Sequence, residues 1–235
     1  MSVRYPRTVG HRGASALAPE NTLLAVERAA EHRLDLVEVD VYLSREGELV
    51  CTHDADLRRV ARRADLVAAL SADELARVDL GAGQGVPRLV DVLALARDRK
   101  IGVYVELKGD RTGAALGRLA RSGRTAHVEV IGGSFDVGLV GELREAAPEV
   151  PRSVLFQRAS VAAMREVCAS VGATYAHPCF RPLERALVDE LHAAGLLVMA
   201  PHTNDPAEAQ RFAAAGIDVL ATDDPAVLRS IVSYP

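Results

Sequence analysis

The sequence predicts an α/β protein of the TIM (β/α)8 barrel class, with a short insertion after the second strand. Three observations predict it. Short β-branched runs alternate with amphipathic helical patterns along the whole 235-residue chain. Counted through, they make eight strands each followed by a helix, the signature of that barrel. A chain of 235 residues also suits an α/β barrel built as one unit. The rival, a doubly wound open sheet, carries a glycine-rich first turn that opens a helix, and no such turn is present.

The first strand is expected at residues 8–10, followed by a helix at 21–31 with Asn21 as its N-cap. The second strand runs over 36–42, and after a turn at Gly47 a further short strand covers 49–52. The alternation then breaks. A stretch at about 54–86, with a helical pattern around 72–78 and a glycine-rich run at 81–85, reads as an insertion at the barrel mouth. It is too small to build an independent core, so residues 1–235 are expected to form a single domain. A helix at 89–98 leads to a strand at 102–106. Helix and strand then alternate through 114–122, 128–132, 137–147, 152–156, 160–171, 174–177, 185–194, 196–200, 207–215 and 219–221, ending in a helix at 226–232.

Composition narrows the function classes. The formal charge is −4 with both signs dispersed, so no basic excess marks a nucleic-acid footprint. Arg58, Arg59, Arg62 and Arg63 are the one dense positive patch, read as a solvated helix face. Cys51, Cys168 and Cys179 are odd in number and lack metal-like spacing, which fits a reducing compartment. Residues 1–10 lack the apolar run of a signal peptide, and no segment reaches the roughly 18 apolar residues of a membrane span. A cytoplasmic location is expected.

Barrel enzymes carry their active sites at the C-terminal ends of the strands. There stand His11 and Arg12 after the first strand, Glu38 and Asp40 in the second, His53 and Asp54 after the extra strand, and Glu106 and Lys108 in the third. Residues two apart share a face, so Glu38 and Asp40 project together, with Val37, Val39 and Val41 on the other side. Three carboxylates aimed at one rim repel unless something neutralises them. Hard divalent cations prefer such oxygens, so Mg²⁺ or Ca²⁺ is the economical answer. Two histidines beside them suit a general acid and a general base. Arg12 and Lys108 add fixed positive charge for an anionic, phosphate-like transition state. Further along, His177 and Cys179 end the sixth strand and His202 follows the seventh; the histidines are candidates for substrate contact. Ser15 reads as a loop-shaping residue, and Cys51 as a small buried one.

In order along the chain, His11-Arg12-Gly13 with Pro19-Glu20-Asn21-Thr22, Glu38-Val39-Asp40-Val41, His53-Asp54, Glu106-Leu107-Lys108, Ser134-Phe135-Asp136, Gly216-Ile217-Asp218 and Thr222-Asp223-Asp224-Pro225 resemble the recurring segments of glycerophosphodiester phosphodiesterases. The resemblance implies hydrolysis of a glycerophosphodiester to glycerol phosphate and an alcohol. It implies His11 and His53 as the acid/base pair, and Glu38, Asp40 and Glu106 as metal ligands. Arg12 and Lys108 become phosphate contacts; His202 is set beside them as a substrate contact on its position at the seventh strand end, not on the resemblance. The expected partner is thus a small-molecule diester, with no nucleic acid and no integral membrane segment. The rivals are a lysophospholipase D-like activity on lipids, disfavoured by the charges of the insertion, and a non-catalytic phosphodiester-binding barrel, disfavoured because every acid and histidine is present. Two departures stand out. Where relatives carry an aromatic W-T-V-N-D element this chain reads Pro201-His202-Thr203-Asn204-Asp205, and Arg59, matching the arginine of an R-T-T segment, is followed by Val60 and Ala61. Loss of the tryptophan face predicts a more polar pocket wall, on which small hydrophilic diesters do at least as well as the choline diester.

Overall fold

The computed structural model describes residues 5–231. Its strands are β1 (Arg7–Gly10), β2 (Leu36–Leu43), β3 (Leu49–Cys51), β4 (Gly102–Leu107), β5 (Val130–Ser134), β6 (Arg152–Phe156), β7 (Tyr175–Pro178), β8 (Leu197–Val198) and β9 (Val219–Thr222). Eight of them run β8-β7-β6-β5-β4-β2-β1-β9, and every pair along this path is parallel. The two ends meet. Met199 bridges Val219, Ala200 N donates to Val219 O at 2.9 Å and Asp218 N donates to Val198 O at 2.9 Å, so the barrel closes. Closure removes the open edges a parallel sheet would otherwise expose. β3 stands off this ring, antiparallel to the end of β2.

Seven α-helices pack outside the ring: α1 (Leu23–Glu31) first and, after the insertion helices α2 (Arg58–Ala61) and α3 (Ala72–Ala76), α4 (Leu89–Arg99), α5 (Thr112–Arg121), α6 (Val137–Ala146), α7 (Val161–Val171), α8 (Arg185–Ala193) and α9 (Pro206–Ala215). The last outer segment, Pro225–Ser230, is a 3-10 helix where an α-helix was expected, and Val232 of that expectation lies outside the described residues. No helix among the described residues is long and apolar enough to cross a membrane.

Strand alternation sorts the side chains into two cores. Inside the ring Val9, Leu36, Tyr104, Ile131, Leu155, Tyr175, Met199 and Val219 form one buried layer, one residue from each strand or its immediate end. On the other parity Val37, Val39, Val41, Val103, Val105 and Leu107 join the larger core under the helices. The layer plugs the barrel centre. It also sets where the acids go: Glu38 and Asp40 follow Leu36 at steps of two, and Glu106 follows Tyr104. All three therefore point into the ring, above the apolar plug.

Two local expectations are corrected. β5 begins at Val130, two residues later than its pattern suggested. Its C-terminal half contains Gly132 and Gly133, residues of poor strand propensity that hide the strand in the sequence. A side chain at Gly133 would meet the Tyr104 hydroxyl at 2.1 Å, so the bare backbone there makes room for the phenol. The N-cap of α1 is Thr22, whose hydroxyl accepts from Ala25 N. Asn21 instead adopts φ +57 and turns its amide inward, as described below. The insertion does gather a small cluster of its own, Leu57, Val67, Ala72, Leu75, Val78 and Val86, which grows from Val50 on β3. A capping box of Ser71 and Glu74 starts α3.

Candidate active site

The C-terminal mouth of the ring opens into a cavity of about 260 Å³. Its floor is the apolar layer, and above it stand His11, Arg12, Glu38, His53, Glu106 and Lys108. These residues were anticipated from their places at strand ends, and the acids and Lys108 also from strand parity; the fold brings them to one place.

Glu38, Asp40 and Glu106 are all buried, and oxygens of the three lie within 4.8 Å of one another. Arg12 N donates to Glu38 Oε2 at 2.7 Å, while Glu38 Oε1 is buried with no hydrogen-bond partner. Burial, then the neighbouring charges of Asp40 and Glu106, push the Glu38 carboxyl well above the usual carboxylate range. Burial and Asp40 push Glu106 up as well, with Lys108 opposing. Lys108 Nζ approaches Glu106 Oε1 at 2.6 Å and Asp40 Oδ1 at 3.2 Å, and Arg12 Nε lies 3.4 Å from Asp40 Oδ2, yet two cations do not balance three acids. An orphaned buried oxygen amid an all-carboxylate donor set fits a hard divalent cation. Asn21 braces the set: its amide donates to Asp40 Oδ2 at 2.9 Å and its carbonyl accepts from Asp40 N at 3.0 Å. The sequence reading missed this role because it assigned the residue to the helix.

Each of the two mouth histidines is held by a carboxylate at Nδ1. His11 Nδ1 lies 2.7 Å from Asp223 Oδ1, and His53 Nδ1 lies 2.7 Å from Asp54 Oδ1. Such a bond fixes ring and tautomer and leaves Nε2 as the working nitrogen. Asp223 is itself gripped by Ser15 Oγ at 2.9 Å and by the Asn204 amide at 2.6 Å. Burial opposes its charge, but His11, Asn204 and Ser15 hold its carboxyl far below the usual range. Ser15 is thus a support for the support. Asp223 and Asn204 were visible only as members of recurring segments, with no role attached.

The His202 ring stacks on His11 at 4.1 Å between centroids and 10° between planes. His11, His202 and Asp223 bring donor atoms within 4.8 Å, but stacked rings send their lone pairs side by side, so this trio is no metal cage. Burial and the nearby His11 lower the His202 pKa to about 4. His177 lies deeper, with Nε2 3.1 Å from Ala200 O, and burial lowers it to about 4 too. Cys179, also on the wall, is pushed up to about 12 by burial and Glu106, and so stays a thiol. Cys51 is fully buried, as expected. The outer wall is made by Phe135, Pro201 and Arg181. Arg181 is held by Glu208 at 2.7 and 2.9 Å.

Comparison with known proteins agrees with this arrangement. A glycerophosphodiester phosphodiesterase of Caldanaerobacter subterraneus is 28% identical over 238 residues, covering 95% of this chain and 96% of that one. The crystal structure of a glycerophosphodiester phosphodiesterase from Agrobacterium tumefaciens superposes with a TM-score of 0.82 at 28% identity, covering 96% of this chain and all of that one (100%). An Oleispira antarctica phosphodiesterase, solved in complex with the product sn-glycerol-3-phosphate, shares the fold with a TM-score of 0.87 at 24% identity, covering 97% and 96%. Residues 11–227 match the glycerophosphoryl diester phosphodiesterase family, a span that holds every mouth residue described above. The chain belongs to that family, and is an enzyme of the phosphoric diester hydrolase class.

Proposed function

We propose that this enzyme hydrolyses small glycerophosphodiesters to glycerol phosphate and an alcohol by histidine acid/base catalysis at a divalent-cation site. The observation that carries the reading is the pairing of two imidazoles, each with Nδ1 on a carboxylate, across a mouth that also holds the three-acid cluster. Glu38, Asp40 and Glu106 are the residues to hold the cation, Mg²⁺ or Ca²⁺. When bound, it supplies positive charge against the developing charge on the phosphoryl oxygens. Arg12 and Lys108 meet the same oxygens from the protein side. One of His11 and His53 takes the proton from the attacking oxygen at its Nε2. The other gives a proton to the alkoxide as the phosphorus–oxygen bond breaks, and water makes up the balance of the hydrolysis. Asp223 and Asp54 stabilise whichever imidazolium forms. The His202 edge at the rim contacts the substrate, and the 54–86 insertion forms the substrate-facing side of one domain spanning 1–235. Three free cysteines suit the cytoplasm.

A lipid diester would need an apolar path for its acyl chain; the many charges of the 54–86 insertion, and Arg181 beside Phe135 and Pro201 on the outer wall, favour a smaller diester. The test is product release from a panel of glycerophosphodiesters, with EDTA and metal add-back. EDTA abolishes activity, a divalent cation restores it, and Glu38→Gln weakens the metal affinity read by titration. Full activity of metal-stripped protein, confirmed by elemental analysis, rules the cation site out.

A further inference from the structure

Arg59, on α2 of the insertion, belongs neither to the acid cluster nor to the histidine pair, yet it bonds to Asp54, which holds His53, and to Glu20, which holds Arg12. Its Nε donates to Asp54 Oδ2 at 2.7 Å, while Asp54 Oδ1 holds His53. Its two terminal nitrogens donate to both oxygens of Glu20, each at 2.7 Å. Glu20 Oε1 also accepts from Arg12 Nη1 at 3.2 Å. Arg12 Nε makes no hydrogen bond and sits 3.4 Å from Asp40 Oδ2. An unbroken chain of polar contacts therefore runs from His53 through Asp54, Arg59, Glu20 and Arg12 to the acid cluster.

The geometry decides what this chain can do. A carboxylate held by one oxygen can still swing; held by both, its plane is set. Arg59 supplies the second hold on Asp54 and so settles the direction in which His53 Nε2 points. On Glu20 it makes a two-pronged pairing that leaves Oε1 aimed at Arg12. Only a planar fork with Nε and both terminal nitrogens reaches two carboxylates in this way, which an ammonium does not reproduce. The Arg59 side chain is 47% exposed, so the same contacts contribute little to stability.

We propose that Arg59 is a positioning residue for the reaction, setting the His53 ring through Asp54 and the Arg12 guanidinium through Glu20. The proposal rests on the roles given above to His53 and Arg12. Its two arms predict different kinetic effects. Loss of the Asp54 arm lowers kcat by roughly 10–100-fold, by analogy with the partners that orient metal-bound histidines. Loss of the Glu20 arm raises KM by roughly 3–10-fold, the scale of one ordinary hydrogen bond, since Glu20 acts on the substrate only through Arg12.

The experiment compares Arg59→Ala and Arg59→Lys with the wild type, alone and in a His53→Ala background. The expected result for Arg59→Ala is a lower kcat and a higher KM with little change in Tm. Added guanidinium ion restores activity in part, and Arg59→Lys stays nearer to Arg59→Ala than to wild type in kcat. In the His53→Ala background the Arg59 effect on kcat disappears while the effect on KM remains. A kcat for Arg59→Ala within twofold of wild type overturns the proposal, as does a kcat loss undiminished when His53 is absent. Should His53→Ala alone keep wild-type turnover, the histidine reading itself falls, and that failure is seen in a different variant.

Discussion

At the scale of single residues, the chemistry depends on how the two imidazoles are held. His11 and His53 stand on different segments, but each has its Nδ1 committed to a carboxylate at 2.7 Å. His11→Ala and His53→Ala should each lower turnover by roughly 10²–10⁴-fold, the scale of a positioned acid or base. Both variants should keep their far-UV spectrum and Tm, because these rim side chains lie above the apolar plug. Near wild-type turnover in either variant removes that residue from the proton-transfer pair. The pocket wall gives a second prediction at this scale. Pro201 does line the cavity, beside Arg181 and the 40%-exposed Phe135. Without a tryptophan face at that position a quaternary ammonium lacks an aromatic partner there, whereas a hydroxyl or primary ammonium headgroup can hydrogen-bond to a polar neighbour such as His202. Glycerophosphoglycerol and glycerophosphoethanolamine should match or exceed glycerophosphocholine in kcat/KM, and Pro201→Trp should shift the ratio toward the choline diester. A strong choline preference that Pro201→Trp leaves unchanged would sink the idea and point to the Phe135 ring. The acids and Lys108 were legible from residue type and strand parity, and Arg12 and both histidines from residue type and their places just past strand ends. Asp223 was not: its bond to His11 spans 212 positions, and nothing local marks it as a partner.

At the scale of elements, the helix and strand patterns located nearly every segment, and the misses have local causes. β5 slid by two residues because Gly132 and Gly133 mask its second half. Asn21 read as a cap because its side chain suits that role, whereas the Asp40 bonds that claim it come from β2. Close helix packing makes a measurable prediction here. On α5, a Cβ at Gly113 would lie 2.0 Å from the Leu139 carbonyl of α6, and one at Gly117 would lie 2.3 Å from Ala146 Cβ. In an isolated helix, Gly→Ala stabilises by about 1 kcal/mol. Against a backbone carbonyl the overpacking cost of about 1–3 kcal/mol wins. Gly113→Ala should therefore lower Tm by a few degrees, by roughly 2–4 °C per kcal/mol for a chain this long, while leaving kcat per folded molecule unchanged. A rise in Tm would show that α5 and α6 separate without strain.

At the scale of the whole molecule, ring closure is the event that assembles the site. The closing seam is short, since β8 has only two residues, Leu197–Val198. His177 reinforces the β7 side of it by donating from Nε2 to Ala200 O. Burial lowers the His177 pKa to about 4 from the ordinary 6.5. Between those values the unfolded chain binds a proton that the folded one does not, so stability rises with pH across that window and levels off above it. His177→Gln keeps an amide that can donate to Ala200 O but does not titrate. Its Tm should fall less steeply than that of wild type from pH 6.5 down to pH 4, and parallel curves would mean that the histidine is not charged on unfolding. The sequence alone determined the fold class, the inward face of Glu38, Asp40 and Glu106, and the chemistry those acids call for, because strand alternation and residue type are local properties. The tertiary structure alone decided which carboxylate serves which histidine, that Asn21 braces Asp40, and that Arg59 joins Asp54 to Glu20. Those contacts exist only after the ring closes and the insertion brings Arg59 to Asp54 and Glu20, and no periodicity along the chain encodes which distant loops will then touch.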